Sequence, residues 1–174
     1  TVTAASEPSV QLAQFLRFKV CGLRDDEAAN SAQSAGFWSF DARGVELKPT
    51  TVENPGGDNP SDERASNVLD NDPDTKWLDF RRGDLEFAFE SPVAVASYTW
   101  ATANDCPERD PTSWRLDAKR EGDDEWIAVD SHDGRDVEVP HERLVQVGPF
   151  DVAWPDRAAA AAVGGRRSSP HGCR

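Results

Sequence analysis

The residues with the clearest chemical content stand in one short run, Ala65-Ser66-Asn67-Val68-Leu69-Asp70-Asn71-Asp72-Pro73-Asp74-Thr75-Lys76-Trp77. Carboxylates, an amide and a hydroxyl crowd together there, and the run ends in an indole. Hard cations such as Ca²⁺ take several such oxygens at close range. Asn67, Asp70, Asp72 and Thr75 are placed to offer them. The run is not an EF-hand, because the Gly and the distal Glu of that loop are missing from their places. A solvated turn in which Asp70 accepts from its own neighbours accounts for the same residues equally well, and both readings stand.

A second polar run, Thr102 to Leu116, holds the residues best suited to touch a ligand: Asn104, Asp105, Glu108 and Arg109. Arg109 beside Asp110-Pro111 reads as an ion pair that fixes a loop rather than as catalytic machinery. The sequence has no G-x-S-x-G elbow, no H-E-x-x-H and no glycine-rich phosphate loop. His132, His141 and His171 stand without partners at readable spacing. A non-enzymatic protein is expected.

The elements that position these runs read as strands. Phe15 to Leu23 alternates, with Leu16, Phe18 and Val20 on one face and Arg17 and Lys19 on the other. Leu85 to Glu90 repeats the pattern with Leu85, Phe87 and Phe89. Ser113 to Arg120 does so with Trp114, Leu116 and Ala118, and turns at Gly122-Asp123-Asp124 into Trp126 to Val129. Phe37 to Asp41, Val45 to Val52, Val93 to Ala103, Val137 to Val139 and Leu144 to Val147 complete the expected set. Many short strands with turns between them predict an all-β sandwich or jelly roll. Trp77, Trp114 and Trp126 are expected in its core. Trp38, Trp100 and Trp154 are left open, and a glycan site needs an exposed aromatic face with converging polar groups.

Composition narrows the partners. The 174 residues carry a formal charge of −13 from 32 acids and 19 bases, which disfavours a nucleic-acid partner. No apolar run approaches the roughly 18 residues that cross a bilayer, so direct membrane insertion is not expected. Cys21, Cys106 and Cys173 form no metal or redox spacing; a Cys21–Cys106 bridge and isolated thiols are both open. The absence of Met and the start at Thr1 suggest loss of an upstream targeting peptide, hence export or an organelle. Three regions are expected: an arm at 1–14, a sandwich at 15–152 and a low-complexity tail at 153–174. Arm and tail suggest docking on a larger protein assembly, as an accessory subunit.

The pattern Asn-x-x-Asp-x-Asp-x-x-Thr-x-Trp from Asn67 to Trp77 resembles the loop of discoidin domains, also called F5/8 type C or galactose-binding-like domains, and of their bacterial carbohydrate-binding relatives. Asn104-Asp105, Arg109-Asp110-Pro111 and Ser113-Trp114-Arg115-Leu116 are similar to a second block of that family, and Gly122 to Trp126 stands where it has a turn and a further Trp. Phe18 to Phe40, with Gln33 and Phe37, resembles a strand pair of a subset of the family. The resemblance spans about Phe15 to Phe150. It implies an eight-stranded jelly-roll sandwich with recognition loops at one end, binding a glycan or a protein surface. It also implies a structural Ca²⁺ held by the Asn67 carbonyl, Asp70, Asp72 and Thr75. The family adds a Glu to that ion; the aligned position here is Gly36, so one anionic ligand is missing.

Overall fold

The computed structural model describes residues 9–156. The first eight residues of the arm and the segment 157–174, with His171 and Cys173, lie outside the described residues, and so does most of the tail on which the docking expectation rests. The described chain is all-β. Its strands are β1 Ala13–Leu23, β2 Ala32–Ser34, β3 Gly36–Phe40, β4 Glu46–Leu47, β5 Thr51–Glu53, β6 Trp77–Asp79, β7 Asp84–Val93, β8 Ser97–Ala101, β9 Pro111–Lys119, β10 Ile127–His132 and β11 Gln146–Asp151. Two short 3-10 turns, Ala65–Leu69 and Pro107–Arg109, are the only helical pieces among the described residues. No described helix is long and apolar enough to cross a membrane.

The strands form antiparallel sheets in the orders β10-β9-β1-β7-β5 and β11-β8-β3-β4, with β2 and β6 as a separate ribbon. Alternation decides which way each strand faces. In β1, Leu16, Phe18 and Val20 turn inward. Phe18 lies opposite Leu85 on one side and Leu116 on the other, and Val20 lies opposite Trp114. The second sheet answers with Phe37 from β3 and Tyr98 and Trp100 from β8. Rings meet across the gap: Phe37 stacks on Phe87 at 4.4 Å and Trp100 meets Trp114 edge-on at 5.5 Å. Two sheets joined by such a layer make a sandwich.

Several expectations change. The fully buried indoles are Trp77, Trp100 and Trp114. Trp126 is only half-buried, under Arg17 and Lys119 on the outer face of the first sheet, so Trp100 takes the core position expected of it. Val45 to Val52 is two strands, not one. Pro49 has no N–H to give a ladder, and at Lys48-Pro49-Thr50 the chain leaves the second sheet at β4 and enters the first at β5. Val93 to Ala103 likewise divides, with β7 ending at Val93 and β8 starting at Ser97 in the other sheet. Val137 to Val139 forms no strand, although Val139 is buried. Cys106 carries a free thiol, so the Cys21–Cys106 bridge is not made. At the arm boundary, Ala13 already belongs to β1 and is buried. At the other end, Trp154 packs against the core.

A polar chain closes one end of the core. Trp114 Nε1 donates to the Tyr98 hydroxyl at 2.8 Å, and that hydroxyl donates to Asp130 Oδ2 at 2.8 Å. Burial, and then the Asp130 charge, push the Tyr98 hydroxyl far above its ordinary pKa. His132 lies against Trp114 and Phe150, with its ring nitrogens 2.9 Å from Asp130 Oδ2 and 2.7 Å from Asp136 Oδ2.

Candidate functional site

The oxygen-rich run is a loop pinned at its neck. Val68 drives into the core from the 3-10 turn. The Asn67 amide donates to Asp62 O at 2.7 Å and to Lys76 O at 2.8 Å, tying the two ends together. Asp70 Oδ1 accepts from the Asp72 N–H at 2.9 Å, its Oδ2 accepts from the Thr75 hydroxyl at 2.7 Å, and Asp72 Oδ1 accepts from the Asp74 N–H at 2.9 Å. The Asn67 carbonyl accepts from the Asp70 N–H at 3.4 Å. The four residues expected to hold an ion are thus neighbours, already joined by hydrogen bonds of their own. A six- to eight-oxygen cation needs more donors than these. Gly36 adds none: a Cβ there would stand 2.2 Å from the Trp38 ring, so the indole fills the space of any side chain at that position. Among the described residues no group of three or more His, Cys, Asp or Glu is arranged to hold a metal.

The second run folds around a buried cation. Lys76 is 3% exposed. Its ammonium reaches Asp105 Oδ1 at 2.5 Å, Gln33 Oε1 at 3.1 Å and Glu63 Oε1 at 3.5 Å. The Gln33 amide in turn donates to Asp105 O at 2.7 Å. Asp110, fully buried, accepts from Arg24 Nη2 at 3.0 Å and from Arg143 Nη1 at 2.9 Å. Arg143 Nη1 also donates to Asp105 O at 3.0 Å. Charge-assisted bonds of this kind fix loops. Of the four residues expected to touch a ligand, Asp105 is committed to Lys76. The side chains of Asn104, Glu108 and Arg109 make no hydrogen bond or ion pair among the described residues, and Arg109 Nε is buried without an acceptor. The sequence draws attention to Asp105 and Arg109, and through the resemblance to Gln33, but not to Lys76, Arg24 and Arg143, which lie far off along the chain. The Lys directly before Trp77 is the one local signal.

A candidate seat for a ligand lies elsewhere among the described residues. Trp38 alternates outward between Phe37 and Ser39, and its indole is half-buried. Its Nε1 donates to Asn71 Oδ1 at 2.9 Å, which holds the ring in place. Asn71 takes a left-handed backbone, φ 56°, to present that oxygen. The ring lines a cleft of about 160 Å³ with Ala35, Ala101 and the exposed Leu144 as its apolar wall and Asn71, Asp72 and Gln146 as polar groups. It also lines a second cleft of about 110 Å³, reaching Leu69, Glu46 and Lys48. Larger hollows, beside Ser9–Leu12 and along Glu138–Glu142, have no aromatic wall. The indole and its flanking amides bring a flat apolar face and hydrogen-bonding groups to one place, as recognition of a small polar ligand requires. No family model, curated protein or solved structure matches this chain.

Proposed function

We propose that this chain is a non-catalytic binding module, a jelly roll of the discoidin-like kind, that recognises a glycan at the Trp38 ridge. The observation that carries the reading is the half-buried indole, fixed by Asn71, that lines two clefts. A sugar ring places its C–H face on such an indole and its hydroxyls on flanking amides, here Asn71 and Gln146. The ring needs no rearrangement to receive it, and preorganisation favours affinity. The 104–109 loop serves this reading as a support, through Lys76 and Asp105, more than as a contact surface. A glycan array probed with the wild type and with Trp38→Ala tests it. Binding in the wild type and its loss in a folded Trp38→Ala protein are expected. An array without a hit, or hits that survive Trp38→Ala, overturn the reading.

The calcium implied by the resemblance is proposed as a weak site only. The Asn67 carbonyl, Asp70, Asp72 and Thr75 would hold the ion, and the indole over Gly36 takes the place of a further acid. Affinity for Ca²⁺ falls as the number of charged ligands falls. A calorimetric Ca²⁺ titration is expected to give a dissociation constant of about 10⁻⁴ M or weaker, with the heat lost in Asp70→Ala. Micromolar binding is the contrary result.

A further inference from the structure

Trp38 and Asn71, tied by their hydrogen bond, are a wall common to both clefts. Asp72 borders the larger cleft and Glu46 the smaller. Both side chains are exposed, and neither is in an ion pair among the described residues. Glu46 makes no side-chain hydrogen bond, and Asp72 uses one carboxylate oxygen on the Asp74 N–H. Lys48, the one base lining either cleft, is also unpaired and exposed. Around it the chain carries −13. Carboxylates on both rims and an indole face between them favour a cation: the acids by their field, the ring by its quadrupole.

We propose that the two clefts seat consecutive rings of an amino-sugar chain, one ammonium group facing Asp72 and the next facing Glu46. This rests on the reading of Trp38 as a glycan seat. An uncharged ring would have the indole and the amides alone. An N-acetylated ring would lose its charge and bring an extra group into a cleft of only about 110 Å³. A chain of two rings makes the second contact at high effective concentration, so length and charge act together.

The test is a calorimetric titration of the full chain, with chelator present to leave the loop carboxylates free. The probes are glucosamine, its β-1,4 disaccharide and tetrasaccharide, and the fully N-acetylated tetrasaccharide. The disaccharide is expected to bind at least about tenfold more tightly than the monosaccharide. The acetylated tetrasaccharide is expected to bind about threefold to tenfold more weakly than the free amine, as two exposed ion pairs supply. Glu46→Gln, checked for its fold by circular dichroism, is expected to remove most of the disaccharide's advantage and leave the monosaccharide little changed. Equal affinity for the acetylated and free-amine tetrasaccharides overturns the inference, as does an unchanged disaccharide in Glu46→Gln. So does failure of every amino sugar while a neutral glycan on the array binds in a Trp38-dependent way, and in that event the glycan reading itself survives. Amino-sugar binding that persists in Trp38→Ala and vanishes in salt is surface charge alone, and it overturns the inference.

Discussion

At the scale of the residue, the site depends on one missing atom. Gly36 lies directly beneath the Trp38 ring, and an added Cβ has no room unless the ring moves. Gly36→Ala should therefore displace the indole and break its bond to Asn71. Because the ring is half-buried at the surface and not part of the core, the stability cost is expected to stay at about 1 kcal/mol, while glycan binding falls as far as in Trp38→Ala; melting curves and the array read the two effects separately. Asp110 is the opposite case. It is fully buried between Arg24 and Arg143, so Asp110→Asn strips two part-buried guanidinium groups of their counter-charge. A loss of about 3 kcal/mol in urea unfolding is expected. Asp84 supplies a pH test. Burial raises its carboxyl above the ordinary Asp range, against the opposing charges of Lys19 and Arg17. A carboxyl raised on folding lends stability in its protonated form. That contribution is present below its unfolded value, about 3.9, and is lost as pH rises through the folded value. Asp84→Asn mimics the protonated form. It should melt above the wild type at pH 7, by the equivalent of less than about 1 kcal/mol, and the difference should close as pH falls below about 4. Trp38 is visible in the sequence as an aromatic of a short strand, with its facing left open. Its role is not, because the Asn71 that holds it comes from a loop 33 residues away.

At the scale of the element, legibility follows period and length. β1, β7 and β9 each alternate apolar and polar residues through a central stretch, Leu16 to Val20, Leu85 to Phe89 and Trp114 to Lys119 apart from the small Ala88, and there their inward faces can be read from residue order alone. The ribbon of β2 and β6 escapes such reading, since three residues are too few to show a period. The two passages between sheets look like continuous strands because their apolar content continues while the hydrogen-bonding partner changes. Residue type alone places the Trp of the 122–126 turn in the core. It sits instead where cations of β1 and β9 cover it, so its indole is buried by long side chains rather than by the opposite sheet. The polar closure couples three strands: Tyr98 of β8, Trp114 of β9 and Asp130 of β10. Tyr98→Phe leaves the buried Trp114 N–H without an acceptor. A cost of about 1–3 kcal/mol by chemical denaturation is expected, and in a double-mutant cycle with Trp114→Phe the two costs should sum to less than additively, because the N–H left unpaired by the first change is removed by the second.

At the scale of the whole molecule, two layers with a shared aromatic interior place the Trp38 ridge on a rigid wall, and the Lys76 and Asp110 clamps hold the neighbouring loops to the same frame. The all-β architecture is legible because strand signals recur along the entire middle of the chain. The cleft proposed as the ligand seat is not, because it is assembled from β3, the 65–77 loop and the approach to β11. The central place of β1 bears on how the chain is born. Its flanking partners are β7 and β9, and the bond from Arg17 to Asp117 spans 100 residues. On the ribosome the greasy side of β1 must wait until β9 has been made before Trp114 and Leu116 can cover it. Nascent chains halted short of Pro111 should therefore stick to one another or to chaperones, and folding should begin in earnest only after β9 has left the exit tunnel.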